Sequence, residues 1–236
     1  MTKNIQRSNQ QWVELLTKSR FKPTKSMGQN FLTDTRVVAD ITHFSDLNAD
    51  DLVVEIGPGL GILTRQLIAS GAEVIGVELD RELARFLRQD LAEFDRFRLV
   101  EQDARHIVPE ELTDNRPYKV AANLPYSVAT VIMRNLMESG HPPTRMTAEP
   151  DQMSLLGLAT ELYAAAEIVM IVPATVFLPP PKVESAVVRM DIRPELRGTA
   201  AQRDRMFELA TMAFQRKRKT VSNGLAMGLN RPKPEL

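Results

Sequence analysis

Short β-branched runs alternate with amphipathic stretches from residue 50 onward. The runs predict strands, and the stretches between them carry apolar residues at helical spacing. Because two parallel strands cannot be joined by a tight turn, repeated crossovers of this length predict an α/β fold, with a parallel sheet and helices on both of its faces. The predicted strands are Leu52–Ile56, Glu73–Val77, Phe97–Glu101 and Tyr118–Ala122, and the predicted helices are Leu60–Ser70, Arg81–Phe94 and Ser127–Ser139.

The pattern changes after a proline-containing break at residues 141–150. It predicts a helix at Gln152–Ala165, a strand at Ile168–Val172, a rigid turn at Phe177–Lys182 and a last strand at Ala186–Ile192. We expect the last two strands to form an antiparallel, hairpin-like pair that closes the sheet.

Both ends of the chain are helical in pattern. Beyond Arg193, apolar residues at helical spacing in Gln202–Gln215 and Arg216–Met227 predict the start of a separate, shortened helical domain. The domain organisation predicted is an N-terminal extension over residues 1–20, an α/β domain over 21–193 and the helical domain over 194–236.

The N-terminal extension contains one predicted helix, Asn9–Lys18. Its apolar residues lie on one helical face, so Trp12 and either Leu15 or Leu16 could fix the helix to the body of the protein.

The composition of the 236-residue chain is that of a globular protein, with 43% hydrophobic and 25% charged residues. The absence of cysteine excludes disulfides, iron–sulfur clusters, thiolate zinc sites and cysteine nucleophiles, and three scattered histidines do not favour a metal site. No apolar run approaches the roughly 18 residues of a membrane helix, and the polar N-terminus lacks a secretory signal. We therefore expect a cytoplasmic protein without a metal or a membrane partner.

Charge is segregated along the chain, although the formal net charge is zero. Residues 1–27 and residues 201–236 each carry a net charge of +5, and the middle carries −10. Because binding to phosphates releases counterions whatever the total charge, the basic ends favour a polyanionic partner. The alternative is that basic tails keep the chain soluble. The same two interpretations apply to the run Arg216, Lys217, Arg218 and Lys219.

The strongest local motif is Glu55-Ile-Gly57-Pro-Gly59-Leu-Gly61, which follows a predicted strand and opens a helix. Glycines at this point let the backbone approach a ligand and turn into a helix whose N–H groups face it. The spacing differs from the GxGxxG of dinucleotide binders, so it favours a nucleoside ligand without pyrophosphate.

Two further acids end the next two predicted strands. Glu78 follows Gly59 by 19 residues, where a carboxylate can accept both hydroxyls of a ribose. Asp103 reaches the same edge of the sheet and suits an adenine amino group. Each acid alone is also compatible with a solvated loop or a helix cap, but three acids around one glycine loop favour a binding site.

The fourth predicted strand ends in Asn123-Leu-Pro-Tyr126. A buried amide, a carbonyl before a proline and an aromatic ring supply two acceptors beneath a stacking face, which suits a planar exocyclic amine. The alternative is a turn in which the asparagine caps the next helix and the proline starts it.

Five segments, in order across residues 21–223, resemble the ribosomal RNA adenine-N6 dimethyltransferase family, and most of all its bacterial small-subunit members. The resemblance implies a Rossmann-like methyltransferase sheet that uses S-adenosylmethionine. It also implies N6,N6-dimethylation of adjacent adenosines near the 3′ end of small-subunit (16S) rRNA, as part of ribosome biogenesis. The segments are Lys25-Ser-Met-Gly-Gln-Asn-Phe-Leu32, Val54-Glu-Ile-Gly-Pro-Gly-Leu-Gly-Ile-Leu-Thr64, Asn123-Leu-Pro-Tyr126, Phe177-Leu-Pro-Pro-Pro-Lys-Val-Glu-Ser185 and Ala213-Phe-Gln-Arg-Lys-Arg-Lys-Thr220.

The resemblance further implies which residues would hold the cofactor. Gln29 and Asn30 would close over its methionine end above the glycine loop, Glu78 would hold the ribose, and Asp103 would hold the adenine amine. The full set implied is Gln29, Asn30, Leu32, Glu55, Gly57, Gly59, Glu78, Leu79, Asp103, Ala104 and Asn123.

The target adenine would be received by Asn123, Leu124 and Tyr126, with Phe177 stacked on its other face. The basic run Arg216–Lys219 would contact RNA, and the partner would be the immature 30S particle or its rRNA. We expect the chain to act as a monomer.

The chain departs from the family pattern at the junction of Thr147 and Ala148, where a strand and the start of a helix are absent. We therefore expect an interior strand to be missing between the Asn123 strand and the closing pair. A large-subunit rRNA adenine methyltransferase of the macrolide-resistance type is one alternative, which Gly28 and Leu124 disfavour. A noncatalytic RNA-binding or ribosome-assembly factor on the same fold is the other, which a missing strand would favour.

Overall fold

The computed structural model describes residues 6–18, 29–124, 128–148, 162–214 and 220–230. The strands of this part of the chain are β1 (Phe31–Leu32), β2 (Leu52–Ile56), β3 (Glu73–Glu78), β4 (Phe97–Glu101), β5 (Lys119–Ala122), β6 (Arg145–Ala148), β7 (Ala164–Val172), β8 (Phe177–Leu178) and β9 (Ser185–Ile192). They form a seven-stranded sheet in the order β4-β3-β2-β5-β6-β9-β7 and a separate pair, β1 with β8. The first five strands of the large sheet run parallel, and β9 is antiparallel to both of its neighbours.

Helices cover both faces of the large sheet, as the alternating pattern predicts. Val54 packs in one hydrophobic cluster with Ile132, and its neighbour Val53 packs in another with Leu67. Consecutive residues of a strand point to opposite faces, so both faces of this strand are buried in apolar side chains. The helices described are α1 (Asn9–Lys18), α2 (Thr35–Phe44), α3 (Ile62–Ala69), α4 (Arg81–Asp90), α5 (Pro109–Thr113), α6 (Ala129–Glu138), α7 (Ala200–Phe214) and α8 (Val221–Gly228).

The expectation that an interior strand is missing is wrong. Strand β6 spans the junction of Thr147 and Ala148, pairs in parallel with β5 and pairs antiparallel with β9. Its four residues match the four of β5, and Met146, Thr147 and Ala148 are fully buried. The residues on the two sides of the junction therefore supply the strand themselves, and the sheet closes without a gap.

The predicted helix Gln152–Ala165 ends too late. Residues 149–161 lie outside the described residues, and strand β7 begins at Ala164, whereas the sequence predicts a strand only from Ile168. Alanine favours helix locally, but the backbone of Ala164–Ala166 pairs with β9, and tertiary pairing overrides the local preference. The predicted antiparallel closing pair is confirmed as β7 with β9.

The terminal helices differ in how well their bounds are predicted. Helix α1 has the predicted bounds, and both Trp12 and Leu16 are buried against the body. Helix α8 begins at Val221 and is capped by the extended residue Thr220, and residues 216–219 of the predicted helix lie outside the described residues. None of the helices in the described ranges is both long enough and apolar enough to cross a membrane.

Candidate active site

A cleft lies where strands β2, β3, β4 and β5 end side by side. Its two adjoining cavities, of about 100 and 270 Å³, share Gln29, Gly57 and Glu78 in their walls. In an open α/β sheet, ligands bind outside the carboxyl ends of the strands, which is where these residues lie. The structure brings to this cleft every residue predicted to bind a cofactor: Gln29, Asn30, Leu32, Glu55, Gly57, Gly59, Glu78, Leu79, Asp103, Ala104 and Asn123.

The glycine loop bends in a way that side chains would oppose. Gly57, Gly59 and Gly61 have φ angles of 66°, 59° and 82°, in the left-handed region that favours glycine. A Cβ atom added at Gly57 would meet no atom within 4 Å, so this position leaves open space above the backbone. Gly61 then caps the start of α3, which directs the first N–H groups of that helix toward the loop.

Glu55 is the most deeply buried acid of the cleft, with a relative exposure of 1%. Burial raises the pKa of its carboxyl group to about 8, helped by the charge of Glu78 and partly offset by the hydroxyl and amide of Thr64. Within the described part of the chain, its Oε2 atom has no hydrogen-bond partner. A buried carboxyl with a spare acceptor atom favours a ligand that brings a donor or a positive charge.

Glu78 ends β3 and is held by the backbone of two loops. Its Oε2 accepts the N–H of Gly59 at 3.0 Å, and its Oε1 accepts the N–H of Asp80 at 2.9 Å. Burial raises the pKa of Glu78, and these two hydrogen bonds act in the opposite direction. Each oxygen retains a further acceptor position, so the carboxylate can still accept two hydroxyls.

Asp103 lies in the second cavity and makes a tight ion pair with Arg105. The Arg105 guanidinium donates to both carboxylate oxygens, with an Nη2–Oδ2 distance of 2.6 Å, and its backbone N–H donates to Oδ1 at 2.9 Å. This pairing lowers the pKa of Asp103 to about 2. Asp103 is therefore a fixed negative charge beside Ala104.

Asn123 and Leu124 follow β5 directly and line the first cavity. The Asn123 amide donates from Nδ2 to the carbonyl of Asn30 at 3.5 Å, which leaves Oδ1 as its remaining acceptor. The Leu124 side chain is buried in the core, at 2% exposure. The side chain thus anchors the backbone whose carbonyl is the second predicted acceptor.

The predicted stacking residue Phe177 does not line the cleft. It is 3% exposed, packs in the same hydrophobic cluster as Leu32, and pairs with it across β1 and β8. Its ring would have to be uncovered before it could stack on a base. Tyr126 and the basic run Arg216, Lys217, Arg218 and Lys219 lie outside the described residues, so their roles stay predictions.

Sequence reasoning missed several side chains in the walls of the cleft. Phe31, Leu60 and Leu83 line the first cavity, and Arg105 and Ile132 line the second. Leu60 lies inside the glycine motif and Phe31 beside Asn30, so proximity to these motifs could have identified both. Leu83 and Ile132 lie on helices as ordinary apolar residues, and no local pattern marks them.

Comparison with known proteins agrees with this geometry. The profile of the ribosomal RNA adenine dimethylase family matches residues 20–233. The ribosomal RNA small subunit methyltransferase A of Alkaliphilus metalliredigens is 35% identical over 233 residues, covering 91% of this chain and 81% of that protein. The protein of the same name from Clostridium perfringens is 37% identical over 225 residues, covering 89% and 79%.

Solved structures show the same fold. The 23S rRNA methyltransferase ErmE superposes with a TM-score of 0.64 at 26% identity, covering 84% of each chain. A dimethyladenosine transferase from Plasmodium falciparum gives a TM-score of 0.65 at 23% identity, covering 85% of this chain and 77% of the other. This chain therefore belongs to the ribosomal RNA adenine dimethylase family, and its sheet is that of a Rossmann-like methyltransferase.

Proposed function

We propose that this protein binds S-adenosylmethionine in the cleft and dimethylates N6 of adjacent adenosines near the 3′ end of small-subunit rRNA. The observation that carries the proposal is the joint position of Glu55, Glu78 and Gly57 around one cleft. Two desolvated carboxyl groups beside an open glycine backbone suit a ligand that is both cationic and rich in hydroxyls.

The residues present fit this cofactor. The spare Oε2 atom of Glu55 suits the ammonium group of the methionine end, and the open space above Gly57 leaves room for it. Glu78 would hold the ribose, and Asp103 with the backbone of Ala104 would hold the adenine. When bound, the cofactor supplies a methyl group already activated for displacement.

The remaining task of the site is to prepare a poor nucleophile. The lone pair of adenine N6 is delocalised into the ring, and hydrogen bonds from N6–H to Asn123 Oδ1 and the Leu124 carbonyl would favour a pyramidal, reactive amine. Positioning and hydrogen bonding of this kind need no strong general base, because the nitrogen loses its proton easily once it is methylated.

Recognition of the RNA would use residues at the edge of the cleft and beyond it. The target base would leave its stack and lie against Tyr126, and Phe177 would cover its other face only after the Phe177 ring is uncovered. Stacking contributes roughly 1 to 3 kcal/mol per base. Arg216, Lys217, Arg218 and Lys219 would contact phosphates. The curated relatives named as small-subunit enzymes support the small subunit as the source of the substrate.

The test is transfer of labelled methyl groups from S-adenosylmethionine to immature small subunits, naked 16S rRNA and naked 23S rRNA in parallel. We expect labelled dimethyladenosine in the small-subunit substrates. Label confined to 23S rRNA would instead indicate the large-subunit activity. Binding to the particle without any transfer would indicate a noncatalytic assembly factor.

A further inference from the structure

Helix α1 packs against the outer wall of the cleft. Trp12 and Leu16 are buried, at 2% and 7% exposure, and form one hydrophobic cluster with Phe31, Leu60 and Leu83. The last three side chains also line the first cavity. The side chains that line the cleft on this side therefore belong to the same hydrophobic cluster as the buried face of α1.

Polar contacts fix α1 to two other helices. The Arg7 guanidinium, just before α1, pairs with Asp90 at the end of α4, with an Nη1–Oδ2 distance of 2.8 Å. The same Oδ2 atom of Asp90 also pairs with Nη2 of Arg65, on α3, at 2.7 Å. Asn9 Oδ1 accepts the backbone N–H of Thr35 at 2.9 Å, at the start of α2. These contacts hold α1 in one position relative to the cleft.

The wall leaves little room for movement. A Cβ atom on Gly59 would lie 3.3 Å from the ring of Phe31, so the ring and the glycine backbone are already in close contact. When a close-packed protein interior loses a side chain, the neighbouring side chains shift or a cavity remains. Removing the support behind Phe31 would therefore change the shape of the cleft in front of it.

We propose that α1 positions the cofactor cleft: Trp12 holds Phe31 and Leu60 in place and so controls the affinity for a cofactor that it does not touch. The inference rests on the proposed role of the cleft in binding S-adenosylmethionine. Trp12 is thus a positioning residue, and the contact of Arg7 with Asp90 keeps it seated.

Trp12 is the one tryptophan of the chain, so its fluorescence reports on this wall directly. Titration of the full chain with S-adenosylhomocysteine should give a saturable change in its emission. We expect Arg7→Gln to raise the dissociation constant about tenfold, equivalent to about 1.4 kcal/mol. The matched control is Lys18→Gln, which removes the same charge from α1 but breaks only the exposed pair with Glu14, and it should bind as the unchanged chain does.

Trp12→Ala and Trp12→Phe lack the fluorophore, so calorimetry measures their affinity for S-adenosylhomocysteine and methyl-transfer assays measure their KM and kcat. We expect Trp12→Ala to raise the KM for S-adenosylmethionine about tenfold or more while kcat at saturating cofactor is retained, with Trp12→Phe between it and the unchanged chain. A variant that fails to fold would lose kcat as well, and circular dichroism detects that loss of folding. If the Trp12 variants do not fold, the affinity of Arg7→Gln for S-adenosylhomocysteine tests the positioning role of α1.

The outcomes separate the two proposals. If the unchanged chain does not bind S-adenosylhomocysteine, the proposed function is wrong and the inference falls with it. If it binds, but Arg7→Gln and the folded Trp12 variants bind equally well, only the positioning role of α1 is overturned.

Discussion

Burial raises the pKa of Glu55 from its ordinary value of 4.5 to about 8, so the unliganded protein holds this carboxyl protonated at pH 7. Between pH 4.5 and about pH 8, the folded state therefore binds more protons at Glu55 than the unfolded state does. The free energy of unfolding should therefore fall as the pH rises through this window, by up to about 1.4 kcal/mol per pH unit. Glu55→Gln cannot ionise and should remove this contribution. Denaturant titrations across the window check it, and parallel pH profiles for the two proteins would contradict it.

Asn123→Ala should lower the rate of methyl transfer far more than it weakens cofactor binding. Removal of one positioning acceptor should cost at least ~2.7 kcal/mol in the transition state, by analogy with an oxyanion-hole donor. Glu78→Ala is the comparison, and it should weaken cofactor binding first, because a ribose contact is made equally before and during transfer. Single-turnover rates and calorimetry on both variants separate the effects. Equal losses of rate and binding in Asn123→Ala would disprove the assignment.

Single residues were predictable where chemistry and position in the chain coincide. Glu78 and Asp103 could be located because an acid at the end of a parallel strand must reach the sheet edge. Leu83 could not, since it is an ordinary apolar residue of α4 that no local pattern marks as part of the cleft. The ion pair of Arg105 with Asp103 could not be predicted either, because nothing in the sequence distinguishes Arg105 from an arginine without an acidic partner.

At the scale of elements, the turn between β2 and α3 allows a controlled test. Gly57→Ala forces a side chain into the left-handed region, at a cost of roughly 1–2 kcal/mol, and directs its Cβ into the open cleft. Gly71→Ala carries the same kind of backbone strain at a φ of 90°, but its Cβ meets Ala49 at an ordinary 3.4 Å, away from the cleft. Both variants should lose similar stability in thermal unfolding. Only Gly57→Ala should bind S-adenosylhomocysteine more weakly, and equal affinities would contradict a ligand above Gly57.

Elements were predictable where local pattern and tertiary pairing agree. Strands β2 and β4 have their predicted bounds, since each is a short strand-forming run between turn-forming residues. The start of β7 and the presence of β6 could not be predicted from local sequence, because both depend on pairing with β9. Strand β6 is only four residues long, and its register is set by its neighbours rather than by its own sequence.

At the scale of the molecule, α7 shares the core of the α/β body. Phe207 is 6% exposed, stacks on Tyr163 with ring centroids 6.0 Å apart, and lies under Arg134 at 4.4 Å. Phe207→Ala should therefore destabilise the whole protein by about 3–5 kcal/mol, whereas Val221→Ala, half exposed on α8, should change stability by less than about 0.5 kcal/mol. Trp12 fluorescence reports the unfolding of the α/β body, and circular dichroism reports the loss of helical structure. An unchanged fluorescence transition in Phe207→Ala would indicate that α7 unfolds as an independent unit.

The basic run makes a prediction about the complex with RNA. If Arg216, Lys217, Arg218 and Lys219 contact phosphates, replacing all four with Gln should flatten the slope of log affinity against log salt by about 0.7 to 0.9 for each phosphate that is no longer neutralised. Binding of S-adenosylhomocysteine should not change. RNA titrations at several salt concentrations measure the slope, and an identical slope would show that the run is a solvated surface.

The pairing of β1 with β8 affects the order in which parts of the protein fold during translation. Leu32 pairs with Phe177, and Thr33 donates to the carbonyl of Val176 from both its N–H and its hydroxyl, each at 2.9 Å. Contacts this distant in sequence form late, because the intervening chain must first be synthesised and then closed into a loop. During translation the glycine loop can therefore fold before the wall that carries Phe31 is in place. We expect the nascent protein to be unable to retain its cofactor until β8 has left the ribosome.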